Sequence, residues 1–240
     1  MRILWLKSEI LHPVDKGGKI RSYQMLRQLK RDHKITYVSF LWPGDSDESI
    51  GRSVEYADRL ITVDTDAPER YSFGFYAALT ANMAGHLPYC IQKYQSQLMS
   101  RAIAASLESE KHDLLVCDFL TPAINLPDRI AIPSVIFQHN VESMIWQRHY
   151  LSSGNLIKRA FFYEQYKRME RYESETLKRF DAVVAVSEAD RKIMRAQFGA
   201  ERIYSVPTGV DTVYFAPDDL AEPDPYELVF TGSMDYLPNE

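Results

Sequence analysis

Seven short apolar runs constrain this chain more than any other feature of it. They are Ile3 to Leu6, Ile35 to Leu41, Leu60 to Val63, Leu114 to Cys117, Ser134 to Phe137, Ala182 to Val186 and Ile203 to Val206, each followed by a polar or glycine-marked turn and then a helical pattern. Such runs belong to strands buried on both faces, and strands that alternate with helices pair in parallel. The expected fold is α/β, a Rossmann-like, doubly wound, mostly parallel sheet. Between the strands, Ile20, Tyr23, Leu26 and Leu29 recur every three residues, and Met99, Ile103 and Leu107 every four. Both sets predict helix faces packed on the sheet.

The longest helix is predicted over about Asn155 to Arg179, with Phe162, Tyr166, Met169, Tyr172 and Thr176 on one side. Glu164 precedes Arg168 by four residues, as Glu175 precedes Arg179, the spacing of a solvated, self-paired face. Acidic residues interrupt its basic ones, which favours that reading over an anionic membrane surface. Between Arg70 and Tyr94 the pattern loosens and aromatics gather: Tyr71, Phe73, Phe75, Tyr76, Tyr89 and Tyr94. Two readings stand: aromatic core filling under an irregular excursion, or two short helices whose exposed rings meet a lipid or a sugar acceptor.

Composition removes several function classes. A formal charge of −5 provides no basic footprint for nucleic acid. The two cysteines, Cys90 and Cys117, lack a CxxC spacing and read as small hydrophobes in a reducing compartment. Met1 leads directly into strand-like sequence, and no window reaches the length of a membrane span. The expected location is cytoplasmic, with a peripheral contact at the inner face of the cytoplasmic membrane left open.

In open parallel sheets, ligands collect beyond the carboxyl ends of the strands. The segments found there are HPVDKGGKIR, DFLTP, QHNVES, SEADR and PTGVD. Gly17 and Gly18 lie before a helix expected to begin near Lys19, where backbone can approach a ligand and free N–H groups attract anions; a simple turn explains them equally well. Their spacing is neither GxGxxG nor GxxxxGK[ST], so a dinucleotide or Walker-type reading fails. His139 and Glu142 follow the apolar SVIFQ and are the leading catalytic candidates, an imidazole and a carboxylate able to bond a polar substrate or stabilise developing charge. A metal site needs a third ligand, which the neighbouring sequence does not supply. Ser187 with Asp190 fits a helix cap, leaving Glu188 as a weaker pocket candidate, and Gly209 with Asp211 fits a tight turn in which the carboxylate bonds local backbone. His12, His33, His86, His112 and His149 have no partner spacing.

The last segment reads as the exit from one domain and the start of another. Residues 1–216 form the first domain, DDLAEPDP lies in an acidic linker over 217–225, and residues 226–240 read as a new strand entering a glycine loop. A lone strand cannot satisfy its edges, so the expectation is that a second domain continues beyond Glu240.

Taken together, DKGGKIRS, IFQHNVES, RFDAVVAVSEADR, VPTGVDTVYFAP and VFTGSMDYLPN occur in the order found in retaining glycosyltransferases of family 4. The chain resembles the amino-terminal domain of those GT-B enzymes, closest to bacterial sugar transferases of polysaccharide and exopolysaccharide assembly. The resemblance implies a nucleotide-diphosphate sugar as donor substrate, no cofactor or catalytic metal, and a saccharide or lipid-linked acceptor. It further implies that Gly17 and Gly18 turn N–H groups toward the donor diphosphate, that His139 contacts the donor sugar, and that Glu142, Asp15 and Arg21 line the acceptor side. In many members an Arg and a Lys follow the glycine of the second domain; here that stretch is GSMDYLPNE, and the acidic motif of that domain would lie beyond Glu240. The isolated chain is therefore expected to be inactive. A sugar-nucleotide epimerase of similar architecture and a non-catalytic carbohydrate-binding module are the competing readings; conversion of a UDP-sugar without acceptor would mark the first, glycan binding without nucleotide the second.

Overall fold

All seven apolar runs form strands; those beginning at Ile3, Ile35 and Leu114 send buried side chains into two cores at once, whereas the run from Leu60 is only half-buried and Tyr204 of the last run is exposed. In chain order the elements are β1 (Arg2–Leu6), α1 (Gly17–Leu29), β2 (Lys34–Leu41), α2 (Asp47–Gly51), β3 (Arg59–Asp64), α3 (Phe73–Asn82), α4 (Tyr89–Gln92) and α5 (Gln97–Ser109). They continue with β4 (Leu114–Asp118), β5 (Ser134–Gln138), α6 (Glu142–Ser152), α7 (Leu156–Leu177), β6 (Ala182–Ala185), α8 (Glu188–Phe198) and β7 (Ile203–Ser205), with short 3-10 turns at Arg52–Glu55 and Thr121–Asn125. The computed structural model describes residues 1–69, 71–216 and 226–229.

Every pairing is parallel, and the strand order is β3-β2-β1-β4-β5-β6-β7. Successive side chains of a strand point to opposite faces. Ile3 and Trp5 accordingly join Leu26, Ile35 and Tyr37 in one core, while Leu4 and Leu6 join Val38, Phe40, Met99 and Ile103 in the other. The chain winds from β1 toward β2 and β3, then returns to place β4 on the other side of β1. The sheet thus has a switch point between the carboxyl ends of β1 and β4, where adjoining connections diverge and leave a crevice.

Two helix faces differ from their sequence patterns. Ile20 of α1 is 45% exposed, whereas Lys19, Arg21 and Ser22 are buried. This helix begins at Gly17 instead of Lys19, and its polar side faces the end of the sheet. In α7, Arg168 does pair with Glu164 at 2.8 Å, but it is buried and also donates to the carbonyls of Asn82 and Met83. Arg179 donates to the carbonyls of Ala123, Leu126 and Pro127, not to Glu175. The second half of α7 is consequently an interior helix, with Met169, Tyr172, Glu173 and Thr176 buried. The aromatic excursion forms α3 and α4, with Tyr71, Phe73 and Tyr76 exposed, while Tyr94 packs against Trp42.

The chain divides into units Met1–Thr208 and Gly209–Glu240. Within the second, Asp211 accepts from the N–H groups of Val213 and Tyr214 at 3.1 Å each, the local carboxylate turn expected from the sequence. Of the expected second-domain strand, 226–229 carry no strand assignment. The linker at 217–225 and the glycine loop lie outside the described residues. No helix among the described residues is long and apolar enough to cross a membrane.

Candidate active site

Asp118 ends β4 at the switch point and is the hub of the site. It is fully buried and collects four side-chain donors. Lys7 Nζ and Trp5 Nε1 approach Oδ2 at 3.1 Å each, Ser22 Oγ at 2.5 Å, and His139 Nε2 approaches Oδ1 at 2.8 Å. Burial alone would push its carboxyl up; Lys7, His139 and Ser22 overcome that and hold it at about 2. Asp118 is thus an acceptor-only carboxylate, so Nε2 of His139 carries the proton of that bond and Nδ1 is left as an acceptor. Burial also lowers the His139 pKa below the ordinary 6.5 against the opposing pull of Asp118, which keeps the ring neutral at pH 7.

The ring is held on its face as well as its edge. Phe119 stacks on His139 with centroids 3.9 Å apart and planes 7° from parallel, and Lys7 Nζ lies 4.3 Å from the Phe119 centroid. To reach this position Phe119 adopts φ +79°, a left-handed conformation that an aromatic residue rarely occupies. Strain of this kind persists only where surrounding contacts over-determine it, and here it orients an imidazole.

α1 closes the other side. Its N-cap residue, Lys16, provides no side-chain acceptor and its first turn contains no acid, so the early N–H groups remain available to an anion. The two glycines differ in what surrounds them. A Cβ on Gly18 would stand 3.0 Å from Phe119 Cζ, whereas one on Gly17 would meet nothing within 4 Å. Gly18→Ala is therefore expected to destabilise the protein by about 1–3 kcal/mol, because the stacked Phe119 ring cannot retreat. Gly17→Ala is expected to stabilise it by about 0.5 kcal/mol through the unfolded chain. Thermal unfolding of the two variants checks the pair, and equal shifts would refute the close approach at Gly18.

Glu142 opens α6 and lines a cleft of about 630 Å³ with Lys7, Lys19, Trp42, Tyr94 and Phe119. Burial raises its carboxyl, with a partial offset from Asn140. Val141, the N-cap of α6, has no capping side chain; Glu173 of α7 does that work, accepting from the N–H groups of Glu142 at 3.0 Å and Ser143 at 2.9 Å. Glu173 is buried, and burial pushes it up to about 7 against those two bonds. A raised acid contributes stability that is complete below its unfolded value near 4.5 and is lost as pH rises through about 7. Glu173→Gln should flatten the decline of Tm between pH 5 and pH 8, the difference amounting to roughly 3 kcal/mol at most. Parallel melting profiles for the two proteins would exclude Glu173 as its source.

The structure brings only part of the expected set together. His139 and Gly18 share the Phe119 ring, and Glu142 lines the adjoining cleft. Arg21 stands over Phe137, its Cζ 4.6 Å from the centroid, and donates to Thr208 Oγ1 at 2.5 Å and to the Val206 carbonyl. Its guanidinium therefore ties α1 to the end of β7. Asp15 is exposed in the loop before α1. Glu188 is exposed at the start of α8 and paired with Arg191 at 2.6 Å, while Ser187 caps that helix through the Asp190 N–H at 3.0 Å. Gly209 belongs to the second unit. Sequence reasoning placed DFLTP, which opens with Asp118, at the ligand edge without singling that residue out, and it missed Lys7 and Ser22, although a charged residue abutting an apolar run was a visible signal for Lys7.

Comparison with known proteins agrees with this architecture. No curated protein matches the chain by sequence. Among solved structures, Alr3699/HepE of Anabaena, in complex with UDP and glucose, superposes with a TM-score of 0.53 at 12% identity, over 91% of this chain and 47% of that one. A sucrose-phosphate synthase from Thermosynechococcus elongatus gives a TM-score of 0.50 at 11% identity, over 90% of this chain and 93% of that one. At such identities the likeness is one of fold, and this chain spans about half the length of the HepE chain. The family model of Glycosyltransferase Family 4 matches residues 16–214, from the residue before the Gly17–Gly18 pair through the turn at Asp211, and the chain belongs to that family.

Proposed function

We propose that this chain is the acceptor-side half of a retaining glycosyltransferase that moves a sugar from a nucleotide-diphosphate donor to a saccharide or lipid-linked acceptor in polysaccharide biosynthesis. The observation that carries the reading is the neutral His139, locked by Asp118 and Phe119 beside the uncapped start of α1. Leaving of a nucleoside diphosphate puts positive character on the sugar ring and negative charge on phosphate. The bare Nδ1 of His139 offers an acceptor to a sugar hydroxyl or to the positively polarised ring, and the first N–H groups of α1 offer donors to phosphate. Membership of the family and the UDP in the HepE complex support a nucleotide sugar as the partner.

The acceptor belongs in the cleft beside this edge. Trp42 and Tyr94 meet edge to face at 5.7 Å on one side of it, and such rings suit the apolar faces of a saccharide. Glu142 and Lys19 supply polar contacts from the same wall. In this proposal the donor half begins at residue 226, and transfer is ascribed to a protein that carries both halves. The test is incubation of that protein with nucleotide sugars and saccharide acceptors, the anomeric configuration of the product being read by NMR. Retained configuration supports the reading, inverted configuration refutes retention, and conversion of a UDP-sugar without acceptor identifies an epimerase instead.

A further inference from the structure

The tip of the hairpin formed by α6 and α7 brings cations and apolar side chains to the surface together. From residue 143 to residue 163 there is no Asp or Glu, while Arg148, Lys158 and Arg159 are present, in a protein whose formal charge is −5. All three cations are exposed. Beside them Leu151, Leu156 and Ile157 are 65%, 80% and 83% exposed. The acids that interrupt the basic residues of α7 begin only at Glu164, and the half of the helix that carries them is the half packed into the fold.

The hairpin also stands in a particular place. α6 leaves from the carboxyl end of β5, and α7 returns to the amino end of β6. A helix of 22 residues is about 33 Å long, while the strands it passes, of four and five residues, are about 13–17 Å long. The first half of α7 and the tip at 153–155 therefore project beyond the carboxyl edge of the sheet, on the side where the cleft opens.

From this conjunction we infer that the tip of the α6–α7 hairpin docks the protein on an anionic lipid bilayer. Leu151, Leu156 and Ile157 enter the interface, and Arg148, Lys158 and Arg159 face the lipid phosphates. Apolar side chains bordered by cations, without acids, have the complementarity such a surface requires. Docked this way, the carboxyl edge of the sheet faces the membrane, which presents a lipid-linked acceptor to the cleft. The surface extends the lipid-linked alternative of the proposed function. Vesicle binding needs neither donor nor turnover, so its outcome is separate from that of the transfer assay.

The experiment is cosedimentation of the full chain with vesicles of phosphatidylcholine alone and of phosphatidylcholine mixed with phosphatidylglycerol, at low and high salt. Binding to the anionic vesicles is expected to exceed binding to neutral ones at least tenfold and to weaken with salt. The triple variant Arg148→Ala, Lys158→Ala, Arg159→Ala should lose about a hundredfold, since each cation near such a surface is worth about fivefold. Leu156→Ser with Ile157→Ser should lose about tenfold even at low salt. Both sets lie on exposed positions, and circular dichroism confirms that the variants fold. Equal affinity for the two vesicle types overturns the proposal, as does wild-type binding by both variants. It is likewise overturned if Phe73→Ser with Tyr76→Ser on α3 abolishes binding while the hairpin variants retain it. A change of oligomeric state in the Leu156–Ile157 variant without a change in vesicle affinity would assign the surface to a second copy of the chain.

Discussion

Asp118→Asn is expected to lower the stability of the protein by about 3–5 kcal/mol at pH 7, the cost of stranding a buried cation. Lys7 and Asp118 are 2% and 0% exposed, so the lysine is poorly hydrated when its carboxylate is neutralised. Asn preserves the shape and can still accept from Ser22 or Trp5, which isolates the charge as the cause. The companion Asp118→Asn, Lys7→Met removes both members and should recover much of the loss. Chemical unfolding of the single and double variants measures the effect; a single-variant loss below about 1 kcal/mol would dispose of Asp118 as the hub. The same carboxylate predicts an acid response. Its folded value of about 2 lies below the unfolded 3.8, so its contribution is complete above pH 4 and is lost as pH falls from there toward 2. That contribution amounts to roughly 2 kcal/mol.

In the glycosyltransferase proposed above, His139→Ala is expected to cut turnover by about a thousandfold and to cost only about 1–2 kcal/mol in folding. The asymmetry follows from the ring's surroundings. Its removal deprives Asp118 of one donor among four and uncovers one face of Phe119, while Lys7 still neutralises the charge. The neutral Nδ1, in contrast, has no stand-in at that position. Because the His139 pKa lies below 6.5, turnover should hold through pH 7 and fall only in the acidic limb, where Nδ1 gains a proton. Unchanged turnover in His139→Ala would remove the residue from the site. A melting loss as large as that of Asp118→Asn would make its role structural.

Several features were legible without coordinates because they depend on neighbours in the chain. A strand buried on both faces must be apolar along its length, and all seven apolar runs proved to be strands, although the edge strands β3 and β7 are not buried on both faces. The position of His139 was legible for the same reason: a polar residue directly after a buried strand lies at the carboxyl edge of the sheet. The caps were equally local. Ser187 bonds the Asp190 N–H three residues on, and Asp211 bonds the N–H groups of Val213 and Tyr214.

The partners of Asp118 and Glu173 were not legible, and the reason is distance along the chain. Asp118 binds Lys7 across 111 residues, and Glu173 caps a helix that begins 31 residues earlier. No periodicity encodes either meeting. The face of α1 differs for a related reason: an apolar residue every three positions shows which side chains prefer burial, yet Asp118 makes burial of Ser22 favourable, while Ile20 is exposed. What the sequence by itself determined was a parallel α/β sheet, its strands, and a polar edge containing Gly18, His139 and Glu142. Only the tertiary structure decided that β4 lies against β1 instead of extending the sheet beyond β3. That strand order creates the switch point where Asp118 meets Lys7 and His139, because pairing among strands is settled by the packing of whole faces and not by the local pattern of any one of them.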